Sequence, residues 1–589
     1  MSVVYPGLDS PEYERDLRSF VRALDELEGL FDEAQIDRTD TPLNPDLAAG
    51  ILERILPPYN ALNDQAWTLG AYVYAFVSVD SRDEFAQARL SELERHTVRL
   101  SKLHTRLTAW AGSQDVDALL ERSEQARQHA YWLQRARVIA EHMMSPAEEA
   151  LAAEMRLTGS SAWNKLYSNL TSQIQATVEI RGERQTLTMS MLRNLATDAD
   201  REVRRAAYEA ELQAWEQHAM PIASALNAIK GETNLLTRKR GWDSPLHASL
   251  FQNAIDEATL DAMLEAAYES FPDFRRYLHA KARLLGIERC AWYDLFAPVG
   301  KETRTWSFDE AAQFIIEQFA TYSQKLSDFA RRAFEERWID APPQPGKHDG
   351  AYCMRLRRDE SRILTNYKPV FNGMGTLAHE LGHAYHNLCL AERTYLQRMT
   401  PATLAETASI FCNTIIDQAA LRDADRDEQI AILEASLQGV CQVVVDITSR
   451  YLFEKEVFER RAERELSARE LCEIMRNAQL QTYGDGLDEN ALHPYMWAAK
   501  PHYYGGLFYN YPYMFGLLFG LGLYARYLDD PDGFRARYDD LLSRTGMADA
   551  PTLAAEFGFD LRMPAFWRSA LDTVRENINR FEALAQGAS

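Results

Sequence analysis

The segment from Gly375 to Asn387 reads GTLAHELGHAYHN, and in it His379 and His383 stand four residues apart. On a helix such residues share a face, so the two imidazoles can grip one metal ion, with Glu380 beside them and turned toward the position left open. Zinc suits a site of neutral imidazoles at about 2.0–2.1 Å, and a zinc-bound water is acidic enough to attack a peptide carbonyl. Glu380 then takes the proton of that water and passes it to the leaving nitrogen. The competing reading is an accidental HExxH on a surface helix, which only the surrounding sequence can exclude.

A catalytic zinc needs a third protein ligand and an open fourth position. The segment TLAETASIF offers Glu406, 23 residues after His383. Its neighbours Leu404, Ala405, Ala408, Ile410 and Phe411 are apolar or small, which fits a packed helix better than a solvated carboxylate. His386 shares a face with His383 as well, but a histidine so placed is more often packed or supporting, and it is not counted among the ligands. The expectation is one Zn2+ per chain, held by His379, His383 and Glu406.

A second cluster lies in KPHYYGGLFYNYPYMF, where five tyrosines fall within eleven residues around Gly505 and Gly506. Peptide hydrolysis builds an oxyanion, and His502 with Tyr504, Tyr509 or Tyr511 could donate hydrogen bonds to it while the glycines let the loop close. The alternative is an aromatic core belt, the more usual role of a tyrosine-rich stretch.

These groups must be positioned by a chain of 589 residues, 46% hydrophobic and 26% charged, long enough to bury a large core in two or more units. A net charge of -23 argues against nucleic acid or anionic membrane as a partner. Six scattered cysteines without a CxxC pair fit reduced thiols, and the N-terminus carries no signal or transit pattern, so a cytoplasmic protein is expected. The apolar run Tyr513–Tyr524 is too short to cross a bilayer and reads as a buried helix.

Helical signals dominate. Ser145, Pro146 and Glu148 form a helix start of capping-box type, and amphipathic stretches recur from Pro11 to the C-terminus. Two exceptions are expected: a hairpin turning at Arg181-Gly182, and an edge strand in SRILTNYKPV leading into the HELGH segment. The Pro- and Gly-rich stretch 341–352 reads as a loop. A division near residue 190, placed only to within tens of residues, separates an N-terminal helical region (1–190) from a catalytic one (191–589).

The segments SPAEEALAAEMRLTGSSAWNKLYSNL, DADREVRRAAYEA, WYDLFAP, GAYCMRL, TLAHELGHAYH, LAETASIF and PHYYGGLFYNY, in this order, resemble the oligoendopeptidase F branch of the thimet oligopeptidase-like zinc metallopeptidases. The resemblance implies a mainly α, two-lobed metallopeptidase with a deep substrate channel and small β elements near the active site. It implies endopeptidase action on short unfolded oligopeptides. It places His379, His383 and Glu406 at the zinc, Glu380 as general base, and His502 with a tyrosine near Tyr511 as transition-state donors. Gly350, Ala351 and Tyr352 match a segment near the substrate, whose backbone could pair with an extended peptide. The chain departs from the pattern at Asn413, where a second glutamate is expected.

Two rivals remain at this point. A related carboxypeptidase would need a group to capture a free C-terminal carboxylate, and no arginine can be assigned to that task. A non-catalytic zinc or peptide binder would not need Glu380. Oligomeric state is not legible.

Overall fold

The computed structural model describes residues 1–300 and 304–587. Helices dominate, and their starts follow simple chemistry. Ser145 caps the helix Pro146–Thr158 in a complete capping box with Glu148, and Ser307 with Glu310 and Ser467 with Glu470 repeat the device.

Two compact units result, each from three separate stretches. The first comprises 1–143, 306–416 and 530–557; the second comprises 144–305, 417–529 and 558–589, so residue 190 falls inside the second. A division by chain position misses this, because long-range packing rather than a linker defines each unit.

In the first unit the helix Pro11–Glu33 buries Tyr13, Leu17, Phe20, Leu24, Leu27 and Phe31, a spacing of alternating fours and threes that lays one apolar stripe against a neighbour. That stripe joins residues of Pro45–Val79 and Glu84–Gly112 in a continuous core. Strands β3 (Ile339–Asp340), β4 (Tyr352–Arg357) and β5 (Glu360–Leu364) form a small sheet in the order β3-β5-β4. The strand of SRILTNYKPV is thus central, not an edge. Pro369 does not forbid this, because it lies beyond the last paired residue, Leu364, and removes no ladder bond. The loop 341–351 ends where β4 begins. The helix Phe371–Cys389 packs on β4 and β5.

In the second unit the 39-residue helix Arg201–Lys239 is the spine. Hairpin strands β1 (Gln175–Ile180) and β2 (Glu183–Thr188) pair antiparallel, with Arg181 and Gly182 at φ of 52° and 82°, the left-handed pair that a two-residue hairpin turn requires. Asp294 of WYDLFAP is fully buried between Arg201 at 2.8 Å and Arg204 at 2.9 Å, so these two segments are tied by a charge that would be costly to bury alone. The apolar run seen in sequence is the helix Tyr511–Asp529, with most of its residues buried. The helical stretch 426–461 is long and apolar enough to cross a membrane by length and composition, yet 56% of its apolar window is buried.

Candidate active site

The helix Phe371–Cys389 carries His379, Glu380 and His383. It meets the helix Thr407–Asp423 through Gly382, where a Cβ would fall 2.6 Å from both the carbonyl oxygen of Ala408 and the Cα of Ser409. Only a residue without a side chain allows that approach, and the approach delivers Glu406 to the histidines. Glu406 Oε2 lies 3.3 Å from Nε2 of His379 and 3.3 Å from Nε2 of His383. The imidazole rings stand 4.9 Å apart and nearly perpendicular. All three ligand atoms lie within 4.8 Å of one another.

Supporting groups fix this arrangement. Ser409 Oγ donates to Glu406 Oε2 at 2.6 Å, and the backbone carbonyl of Ala405 accepts from the ring of His383. The helix Pro531–Ser543 packs on the helix Phe371–Cys389, with Tyr385 donating to Asp539 Oδ1 at 2.7 Å. His386 is buried and paired with Thr545 Oγ1 at 2.8 Å, a position within the packing. Its burial, with help from His383, holds its pKa at about 4. Asn413 Oδ1 lies against Gly375, one turn before His379, where a Cβ would come within 3.1 Å.

The electrostatics agree with a metal centre. Burial pushes the Glu406 carboxyl up, but hydrogen bonds from His379 and His383 outweigh it and hold the group well below the usual carboxylate range. Burial also raises Glu380, with Glu406 adding to the rise and the histidines opposing it. Glu380 is 6% exposed, and its Oε2 has no hydrogen-bond partner among the described residues. Two imidazoles and a carboxylate, with a buried orphan carboxylate oxygen beside them, are a donor set that fits a zinc ion.

The substrate-segment residues Gly350, Ala351 and Tyr352 belong to the same unit. Gly350 takes a φ of 81°, and Tyr352 opens β4 with its hydroxyl 2.6 Å from Ser78 Oγ.

The tyrosine cluster belongs to the second unit and divides into two kinds. Tyr504 is buried, stacks on Tyr167 at 3.7 Å and donates to the Trp497 carbonyl at 3.2 Å. Tyr511 is buried with its hydroxyl 3.2 Å from Ser249 Oγ and 3.2 Å from Asn253 Nδ2. Tyr509 is 49% exposed and stacks on the His502 ring at 5.0 Å. His502 Nδ1 is buried without a partner among the described residues, and burial, with Arg450 and Lys500 nearby, lowers its pKa. The loop is anchored by Glu454, which accepts from Lys230 at 2.6 Å and from the Phe508 amide at 3.2 Å. Sequence reasoning missed Ser409, Gly382 and Glu454. The first two carried a faint signal, a serine three residues after the ligand glutamate and a glycine inside the motif; Glu454 carried none.

Known proteins resemble this chain in sequence and in fold. The family model described as peptidase family M3 matches residues 194–573, and that for oligopeptidase F matches residues 111–175. Oligoendopeptidase F, chromosomal, of Lactococcus lactis subsp. cremoris is 27% identical over 69% of this chain and 68% of its own. Group B oligopeptidase PepB of Streptococcus agalactiae is 24% identical over 97% of this chain and 94% of its own. The crystal structure of oligoendopeptidase-F from Enterococcus faecium shares the fold, with a TM-score of 0.70 over 98% of both chains at 19% identity. With the M3 match spanning well over half its length, the chain belongs to peptidase family M3.

Proposed function

We propose that this peptidase is a zinc-dependent endopeptidase that cuts internal bonds of short unfolded oligopeptides. The observation that carries the reading is the convergence of His379, His383 and Glu406 on one point beside the buried carboxylate of Glu380. The oligoendopeptidase and oligopeptidase names of the relatives support the substrate class.

His379 and His383 present Nε2, and Glu406, steadied by Ser409, completes the donor set. Zinc bound there supplies Lewis-acid polarisation of the scissile carbonyl and an acidified water. Glu380, whose burial favours the protonated form, accepts the proton of the attacking water and delivers it to the leaving nitrogen. Gly350, Ala351 and Tyr352 hold the peptide backbone in extended form. His502 and one tyrosine donate to the oxyanion; of the candidates, Tyr509 suits this best, because the hydroxyls of Tyr504 and Tyr511 are already engaged in the core.

The test is digestion of internally quenched peptides of increasing length, with and without chelator, with cut sites mapped by mass and metal content measured on the same protein. Internal cuts that vanish on chelation and return with zinc support the reading. Stepwise release of C-terminal residues would replace it with a carboxypeptidase.

A further inference from the structure

Strand β4 has two faces with different neighbours. Cys353 lies within 3.9 Å of Asn387 on the metal-ligand helix, whereas the alternate residue Tyr352 bonds Ser78 on the helix Pro45–Val79. Met354, on the Tyr352 side, borders a cavity of about 580 Å3 formed by the first unit alone. Its walls are mainly apolar, with Trp67, Tyr74, Leu100, Tyr395 and Met399 around Met354 and a few polar side chains such as Asn63 and His104 among them. Trp67 and Tyr74 are 45% and 36% exposed, so the aromatic wall of the cavity is reachable from solvent.

The cavity adjoins an open strand edge. Ile363 N–H donates to Trp338 on the β3 side, so the Cys353–Ile363 pair is one that makes no bonds between β4 and β5. The backbone N–H and C=O of Cys353 therefore face outward, as do those of Arg355 by the same alternation. The Arg355 carbonyl is taken by Trp67 Nε1 at 2.7 Å. Trp67 thus closes the edge at Arg355 and leaves the stretch before it, at Cys353, open to an incoming strand.

A peptide paired on that stretch points alternate side chains to opposite faces of the sheet. One set faces the side of the metal-ligand helix, and the other passes over Met354. We propose that the cavity is a specificity pocket that takes a bulky aromatic or apolar side chain of the peptide, at a position alternating with residues directed to the metal side. The inference rests on the endopeptidase reading and adds a side-chain preference to it.

The test uses the zinc-loaded full-length enzyme and quenched peptides in which Phe replaces Ala at one position at a time. Wild type should favour Phe by about tenfold or more in kcat/KM at one position, the size expected for burying one aromatic ring. Gly70 lines the cavity, and a Cβ there meets nothing within 4 Å, so Gly70→Phe can place a ring in the pocket without disturbing the helix. In this variant the ratio at that position should fall below about twofold. Met354→Trp fills the same space from the strand and should do likewise, should the first variant melt early. A wild type indifferent to Phe at every position, or a ratio preserved in the folded variants, overturns the pocket while leaving the endopeptidase reading intact. Absence of any internal cleavage by wild type overturns both.

Discussion

Gly382→Ala is the sharpest probe of how the metal site is built. The new methyl would stand 2.6 Å from the Ala408 carbonyl oxygen and the Ser409 Cα, both backbone atoms with no freedom to rotate away. Restoring ordinary contact requires the two helices to part by about 0.8 Å, well beyond the about 0.2 Å that metal–ligand distances tolerate. Overpacking costs about 1–3 kcal/mol, and the gain in helix propensity returns about 1, so the protein should stay folded and lose about 0–2 kcal/mol. Glu406 rides on the displaced segment, so zinc affinity should drop about 10- to 100-fold, the scale set by misorienting a ligand. Competition with a chromophoric chelator reads the affinity, and a thermal melt of the zinc-free protein reads the fold. Zinc affinity within twofold of wild type in a folded variant would refute the argument that this contact delivers Glu406.

Glu380→Gln should keep one zinc per chain while peptide hydrolysis falls by several orders of magnitude, checked by metal analysis and turnover of a quenched peptide. Glu406→Ala should lose zinc under mild chelation, whereas Asn413→Ala should change occupancy little, since Asn413 stands a turn away against Gly375. Tyr509→Phe should lower kcat and kcat/KM together by about a hundredfold to a thousandfold, equal to about 3–4 kcal/mol. Tyr504→Phe should instead lower the melting temperature through a lost buried hydrogen bond, of about 1 kcal/mol, with kcat near normal. A crippled kcat in Tyr511→Phe with normal Tyr509→Phe would move the donor to Tyr511.

What was legible in the sequence was whatever rests on local periodicity. The i, i+4 spacing of His379 and His383 sets a shared helix face regardless of context, the Ser145 capping box acts over three residues, and Arg181-Gly182 supplies a left-handed pair without help from the rest of the chain. The rank of β5 within its sheet was not legible, because it depends on Ile339–Asp340 some twenty residues earlier choosing β5 as its partner. Nor were the unit boundaries, which follow packing between stretches hundreds of residues apart.

The tyrosines show the same limit at the level of single side chains. Tyr504, Tyr509 and Tyr511 are indistinguishable by type and nearly so by spacing, and each could present a hydroxyl to a substrate. What separates them is the partner each finds: the ring of Tyr167 and a carbonyl for Tyr504, Ser249 and Asn253 for Tyr511, and the His502 ring with an open side for Tyr509. A buried hydroxyl must satisfy its hydrogen bond locally, and one so satisfied gains little by turning to a transient oxyanion. Availability therefore follows from exposure, and exposure follows from contacts made up to hundreds of residues away along the chain. A donor for the transition state is for that reason identified by which hydroxyl the fold leaves without a fixed partner, not by its place in the motif.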